Sequence, residues 1–111
     1  MAEGLLDVEQ IVSIFVAELQ KHGIRPREVI LYGSHARGEA TVLSDIDLVV
    51  ISEDLSKWPA LERLEMLSRL AARVEAPLDV LGYTPEEIAR SGKDSILWSE
   101  ITRHGKVLSA A

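Results

Sequence analysis

The amino-acid sequence predicts an α+β fold in which a small mixed β-sheet is flanked by helices, within one domain spanning residues 1–111. Segments whose apolar residues recur at helical spacing alternate along the chain with short, strongly apolar runs of strand length. Glycine or proline separates many of these segments. A chain of 111 residues is long enough for one modest hydrophobic core but not for two.

The composition is that of an ordinary soluble globular protein, with 47% hydrophobic and 27% charged residues. The net charge of −6 argues against a protein that coats nucleic acid, because such binding depends on many lysine and arginine contacts to phosphate. The absence of cysteine excludes disulfides, thiolate zinc sites and cysteine nucleophiles. There is no apolar stretch of roughly 20 residues for a membrane span and no secretory signal, so we expect a cytoplasmic protein.

The first predicted helix runs from Asp7 to His22, with Asp7 as its N-cap and Gly23 as the residue that ends it. Its apolar residues recur at helical spacing: Val8, Ile11, Val12, Phe15 and Leu19. Ile14 and Val16 widen this apolar stripe. We favour packing in the core as its role, and a surface for a partner protein is the alternative.

Four segments are predicted to be strands because they are short and apolar and lie between turn residues. They are residues 28–32, 45–52, 78–83 and a terminal strand over 106–110. Between the first two strands, residues 34–40 are expected to form a turn and a short helix.

Further helices are predicted after the second and third strands. One begins within residues 56–59 and ends near Glu75, and another spans 95–105. The apolar residues assigned to one side of the first of these are Leu61, Leu64, Leu67, Leu70, Ala71 and Val74. Thr84 and Glu87 match a capping box, so we interpret Glu87 as structural and not catalytic.

Three aspartates interrupt the apolar strands: Asp45 and Asp47 in the second, and Asp79 in the third. Residues two apart on a strand point to the same face, so Asp45 and Asp47 repel each other by about 3 kcal/mol near a protein surface. Mg²⁺ offsets such a cost, because it prefers oxygen ligands and shared carboxylates. If the two strands pair, all three carboxylates converge. A lone Asp-x-Asp is more often a solvated pair, so the metal interpretation depends on the neighbouring turn.

Gly33 and Ser34 form a turn between the first strand and a helix. Backbone N–H groups at such a turn bind phosphate, glycine permits a close approach, and the Ser34 hydroxyl is a further donor. Arg37 could reach the same anion with its planar guanidinium. The alternative is an ordinary turn in which Ser34 caps the helix. Beside three carboxylates, a site for a nucleoside triphosphate with its metal ions is the consistent interpretation.

The order Gly33-Ser34, ten residues, then Asp45-x-Asp47 resembles the signature of the polymerase-β-like nucleotidyltransferase superfamily. The string GSHARGEATVLSDIDLVV is similar to its minimal members, the MNT domains, and the ending HGKVLSA is similar to their last strand. This resemblance implies the polymerase-β-like nucleotidyltransferase fold. It also implies an enzyme that transfers a nucleoside monophosphate, AMP from ATP as the first choice, to a hydroxyl acceptor.

The resemblance also implies roles for residues of this chain. Gly33 and Ser34 would contact the β and γ phosphates, while Asp45 and Asp47 would bind both metal ions. Asp79 would be the third ligand and would help to deprotonate the acceptor hydroxyl. The implied cofactors are two Mg²⁺ ions, with Mn²⁺ as an alternative, and the substrate is ATP or another nucleoside triphosphate.

The small size implies a partner protein, because larger relatives use an additional domain to grip their substrates. Minimal members of the family pair with HEPN proteins, which are all-helical and often RNases, as antitoxins of toxin–antitoxin pairs. Some add AMP to a tyrosine of the toxin, and we expect the same here, in a homo- or hetero-oligomer. Two alternatives stay open: a non-catalytic antitoxin that neutralises its partner by binding, and a nucleotidyltransferase that modifies a small-molecule hydroxyl.

One histidine and three aromatic residues are assigned no catalytic role. His35 lies at a variable position of the family pattern, and neither His22 nor His104 lies at metal-ligand spacing from it, so we expect a surface histidine. The aromatic residues are expected to pack in the core or at an interface, not to stack on a base: Tyr32, Trp58 and Trp98.

Overall fold

The computed structural model describes residues 7–91 and 95–110, and its helices and strands follow the predicted alternation. In chain order the elements are α1 (Val8–Lys21), β1 (Glu28–Tyr32), α2 (Ser34–Arg37), β2 (Ile46–Ile51), a 3₁₀ helix (Glu53–Lys57), α3 (Ala60–Ala71), β3 (Leu78–Tyr83), α4 (Pro85–Ser91), α5 (Ile96–His104) and β4 (Lys106–Ala110). The predicted α+β fold is confirmed.

Local signals placed most element boundaries correctly. The side chain of Asp7 caps α1 by accepting a hydrogen bond from the Gln10 N–H at 3.1 Å, and the chain leaves the helix at Gly23 with a φ of +78°. Strands β1, β3 and β4 have the predicted bounds. Strand β2 begins one residue later and ends one residue earlier than predicted, so Asp45 immediately precedes it.

The sheet has the strand order β3-β2-β1-β4 and is mixed, as predicted. Strand β1 is antiparallel to both β2 and β4, whereas β2 and β3 are parallel. A parallel pair needs a long crossover connection, and the 3₁₀ helix and α3 form it. The end of β1 and the starts of β2 and β3 therefore lie at one edge of the sheet.

The two faces of the sheet are covered unequally. Leu48 and Val50 of β2 belong to a large core with residues of α1 and α3. Val49 and Ile51 point to the other face, where a smaller cluster includes Ile101 of α5. Because side chains alternate along a strand, Asp47 shares this second, less covered face.

Helix α3 differs from its prediction in length and in its buried side. It ends at Ala71, and Leu61 and Leu64, which were predicted to face the core, are 70% and 42% exposed. Arg63 takes an inward position at this end of the helix, because its guanidinium binds Glu87. None of the helices in residues 7–91 and 95–110 is long and apolar enough to cross a membrane.

Candidate active site

The strand register brings two of the three aspartates together. Asp47 of β2 lies directly beside Asp79 of β3, and both point to the same face. Neighbouring strands are about 4.8 Å apart, so the two carboxylates are within reach of a shared ion. Asp45 lies two residues before Asp47 and is exposed, as is Asp79. The structure thus places a carboxylate pair on the sheet, with Asp45 at the entrance to β2.

The surroundings of Asp47 disfavour its negative charge. Burial raises the pKa of Asp47 above its ordinary value, and the negative charges of Asp79 and Asp45 raise it further. His35 and Arg37 act in the opposite direction with their positive charge. The ionised form of Asp47 is therefore disfavoured, and a bound cation would remove this penalty.

Tyr32 lies on the opposite side of Asp47 from Asp79, because it pairs with Asp47 across β1 and β2. Burial, together with the charges of Asp47 and Asp79, raises the pKa of Tyr32 to about 12, so its hydroxyl is neutral at neutral pH. The prediction that the aromatic residues pack against the core is confirmed. Tyr32 and Trp98 pack against the smaller cluster, and Trp58 packs against the larger core.

Gly33 is required by the turn in two ways. Its φ of +74° and ψ of −156° belong to a region that only glycine adopts readily. A Cβ atom at this position would also collide with the Oδ2 atom of Asp47. The turn and the carboxylate pair are therefore in direct contact.

Ser34 lies inside the helix that follows the turn. Gly33 is the N-cap of α2 and Ser34 is its first residue, so the alternative in which Ser34 caps this helix is wrong. The Ser34 side chain is half-buried beside Gly33. The role of Ser34 as a phosphate ligand stays a prediction.

Arg37 is bound to carboxylates in this structure. Its Nε donates to Glu39 Oε1 at 2.8 Å, and one Nη donates to Glu100 Oε2 of α5 at 2.6 Å. These hydrogen bonds raise the pKa of Arg37 above its ordinary value. A phosphate would have to compete with both partners, so phosphate binding by Arg37 stays a prediction.

His35 differs from the expected surface histidine. The side chain is half-buried, and its Nε2 lies 3.3 Å from the backbone carbonyl oxygen of Ser44. This hydrogen bond joins α2 to the loop before Asp45. The sequence contained no signal for it, because a histidine beside a turn is usually solvated.

A second charged cluster, which sequence reasoning did not find, lies at the other end of β3. Arg63 binds both carboxylate oxygens of Glu87, at 2.7 and 3.0 Å, and also the carbonyl oxygens of Gly82 and Trp58 at 3.2 Å. The predicted capping box is confirmed, because Thr84 N–H donates to Glu87 and Glu87 N–H donates to Thr84 Oγ1. Glu87 thus has a structural role, as predicted, and Arg63 extends it.

The donor atoms at the sheet edge suit a hard divalent cation. Asp45, Asp47 and Asp79 supply only carboxylate oxygens, which Mg²⁺ and Mn²⁺ accept, and their repulsion needs a counter-charge. In the described part of the chain, no three acidic, histidine or cysteine side chains already converge tightly enough to hold an ion. The three carboxylates fit a divalent cation by their chemistry, but the predicted convergence of all three is not seen among residues 7–91 and 95–110.

Comparison with known proteins shows the family of the chain and the relatives of its fold. A model of the nucleotidyltransferase domain matches residues 10–102. A solved structure of a toxin–antitoxin with AMP-PNP is similar, with 21% identity and a TM-score of 0.64. Two mutants of the toxin–antitoxin MntA-HpeT have identities of 24% and 20% and TM-scores of 0.60 and 0.61. Each similarity covers 96% of this chain and 75% of the other. No curated protein sequence matches.

Proposed function

Because the chain belongs to the nucleotidyltransferase domain family, we propose that it transfers AMP from ATP to a hydroxyl acceptor in a metal-dependent reaction. The observation that supports this proposal most strongly is the parallel register that places Asp47 beside Asp79, with Gly33 against Asp47. Like charges gathered beside a glycine turn favour a cation and an anionic ligand. A fold without such chemistry would gain nothing from this repulsion.

In this proposal Asp45, Asp47 and Asp79 hold divalent ions, two Mg²⁺ or alternatively Mn²⁺. When bound, these ions stabilise the charge that develops on the attacking and leaving oxygens. Asp47 is the central residue because it lies on β2 between Tyr32 and Asp79. Tyr32 excludes water from one side of it and stays neutral, so it adds no further negative charge.

The Gly33–Ser34 turn binds the β and γ phosphates of the nucleotide. The absence of a side chain at Gly33 leaves the backbone accessible, and the Ser34 hydroxyl donates a hydrogen bond. Arg37 reaches the phosphates when it leaves Glu39 or Glu100, its partners in the described structure. Its charge then neutralises part of the triphosphate.

In this proposal Asp79 accepts the proton of the acceptor. It is exposed on β3, which is an edge strand of the sheet, so an incoming hydroxyl can approach it from solvent. The acceptor oxygen attacks the α-phosphorus, a phosphodiester bond forms, and pyrophosphate leaves. The proton passes to the Asp79 carboxylate and then to water.

We further propose that the acceptor is a tyrosine of a HEPN-type toxin and that the chain is the corresponding antitoxin. The fold similarity to toxin–antitoxin proteins, one of them with AMP-PNP, supports a toxin partner. The competing function is an antitoxin that neutralises by contact alone. The carboxylate cluster favours catalysis, since a binding surface has no use for self-repelling charges.

Co-expression with the protein encoded beside this one separates the two functions. Intact-mass spectrometry should find the partner heavier by one AMP with the wild-type chain and unmodified with Asp45→Asn/Asp47→Asn. A matched control is Glu62→Gln/Glu65→Gln, which removes two exposed carboxylates from α3 and should behave as wild type. A partner that is neutralised but never modified would contradict catalysis and support contact inhibition.

A further inference from the structure

We propose that His35 is a positioning residue that anchors the loop before β2 and thereby orients Asp45 for a divalent cation. The proposal extends the metal-dependent function proposed above, and part of its test is independent of that function. The starting observation is the hydrogen bond between His35 Nε2 and the Ser44 carbonyl oxygen, at 3.3 Å.

The loop of residues 40–45 is shaped by bonds within itself. Thr41 N–H donates to Ser44 Oγ at 2.9 Å, and Ser44 N–H donates to the Thr41 carbonyl at 3.0 Å. At the tip, Val42 and Leu43 are 59% and 89% exposed, so apolar packing does not attach the loop to the protein. In the part of the chain that the structure describes, His35 makes the hydrogen bond that joins this loop to a neighbouring element.

The anchored carbonyl belongs to the peptide group that leads into Asp45. A peptide group is planar, so the oxygen of Ser44 and the Cα atom of Asp45 move together. On the other side of Asp45, the Ile46 N–H donates to the Pro77 carbonyl at 2.8 Å. Both peptide planes that flank Asp45 are therefore held, one by the backbone and the other by the side chain of His35.

The Nε2 atom of His35 is assigned to positioning and not to metal ligation because it donates to a carbonyl oxygen. A nitrogen that bonds a carbonyl oxygen must carry a proton, so it has no lone pair to offer a metal ion. A carboxylate ligand must be held within about 0.5 Å of its productive position, and loss of an outer hydrogen bond typically weakens metal affinity or activity about 10- to 100-fold.

Three variants test this role. His35→Ala removes the donor, whereas His35→Gln retains an amide nitrogen at the position of Nε2. The control is His22→Ala, because His22 also binds a backbone carbonyl through a ring nitrogen, at 2.9 Å from Glu18 O, but lies at the end of α1. Thermal unfolding by circular dichroism confirms that each variant is folded.

The first readout is hydrogen–deuterium exchange of amides 41–46 in the protein without metal or nucleotide. Exchange should be faster in His35→Ala, restored in His35→Gln and unchanged in His22→Ala. The second readout is a Mn²⁺ titration followed by electron paramagnetic resonance. The Mn²⁺ dissociation constant should rise about 10-fold or more in His35→Ala and return towards the wild-type value in His35→Gln.

The possible failures are distinguishable. The positioning role is overturned if amide exchange is unchanged in His35→Ala. It is also overturned if the wild type binds Mn²⁺ and His35→Ala binds it with the same affinity. Both results leave the proposed function intact. If the wild-type chain binds no Mn²⁺ in this titration, the metal-dependent function itself is contradicted, and with it the orientation of Asp45 for a cation.

Discussion

Two clusters of charged side chains lie at opposite ends of β3, and their charges are arranged in opposite ways. At the end of the strand, Arg63 binds Glu87, and this hydrogen bond is the main reason that the pKa of Glu87 is lowered. At the start, Asp79 lies beside Asp47, whose pKa is raised. The first cluster pairs its charges internally, whereas the positive charges of His35 and Arg37 do not offset the repulsion in the second, which favours an ion from solution.

The contrast separates charges that stabilise the fold from charges that prepare a reaction. Removal of Arg63 would leave a carboxylate and two carbonyl oxygens without their guanidinium partner. Removal of the Asp47 charge would relieve repulsion and leave the fold at least as stable as before. Stability and activity should therefore respond in opposite ways to substitutions at the two ends of β3.

The largest effect is expected from Asp47→Asn on the rate of nucleotidyl transfer. The rate should fall on the order of 10³-fold or more, because metal ligands contribute several kcal/mol of charge stabilisation in the transition state. The free energy of unfolding should not decrease. Initial rates and urea unfolding of the same preparation test both statements, and a loss of stability comparable to that of an Arg63 variant would abolish the contrast.

Arg63→Ala should have the reverse effect and lower the free energy of unfolding by about 1–3 kcal/mol, because buried polar groups lose their hydrogen-bond partner. Arg63 is 6% exposed, and the Glu87 side chain that it leaves behind is 35% exposed, so solvent offsets part of the loss. Arg69→Ala on the exposed side of α3 is the control and should change stability by less than about 0.5 kcal/mol. Equal unfolding midpoints for the two variants would show that the Arg63 cluster does not stabilise the fold.

Gly33→Ala should damage both stability and activity, because Gly33 is in contact with Asp47. Gly38 also has a φ of +74°, but an added Cβ there has open space around it. Gly38→Ala should therefore cost only the left-handed backbone strain of about 1–2 kcal/mol, with the transfer rate retained. Gly33→Ala should cost more and reduce transfer, since the methyl group displaces Asp47. If Gly33→Ala and Gly38→Ala lose the same free energy of unfolding and the same transfer rate, the contact between Gly33 and Asp47 is contradicted.

The smallest effect concerns pH. The pKa of Asp47 is raised in the folded state, so its unfavourable contribution is complete above that pKa and disappears as the pH falls towards the ordinary value of 3.8. Asp47→Asn should then be more stable than wild type at pH 7 by less than about 1 kcal/mol, because solvent screens the charges. Urea unfolding of both proteins at several pH values checks this, and a difference that stays constant down to pH 4 would refute it.

The elements of the fold were predictable because their signals are local. Apolar runs bounded by turn residues predicted the bounds of β1 and β3. The capping residues Asp7 and Thr84 predicted where α1 and α4 begin. The mixed sheet followed from a resemblance carried by about twenty residues around Gly33 and Asp47. These features need no knowledge of which side chains meet in space.

The contacts around the site were not predictable, because they join residues far apart in sequence. The Arg37–Glu100 pair spans 63 positions and the Arg63–Glu87 pair 24. Arg63 in particular lies on the side of α3 where the leucine pattern predicted apolar residues, and Leu61 and Leu64 are exposed. The hydrogen bond of His35 depends on the path of the loop to Ser44, which no local pattern specifies.

The most direct test of the central claim is label transfer in vitro. Wild-type chain, the adjacent-encoded protein, Mg²⁺ and ATP labelled with ³²P at either the α or the γ position would be incubated in parallel. The account predicts that the partner acquires label from the α position only, and that Asp45→Asn/Asp47→Asn abolishes it. The same incubation is repeated with the other three nucleoside triphosphates. A stable complex that acquires no label from any of the four would contradict the account and leave an antitoxin that acts by contact.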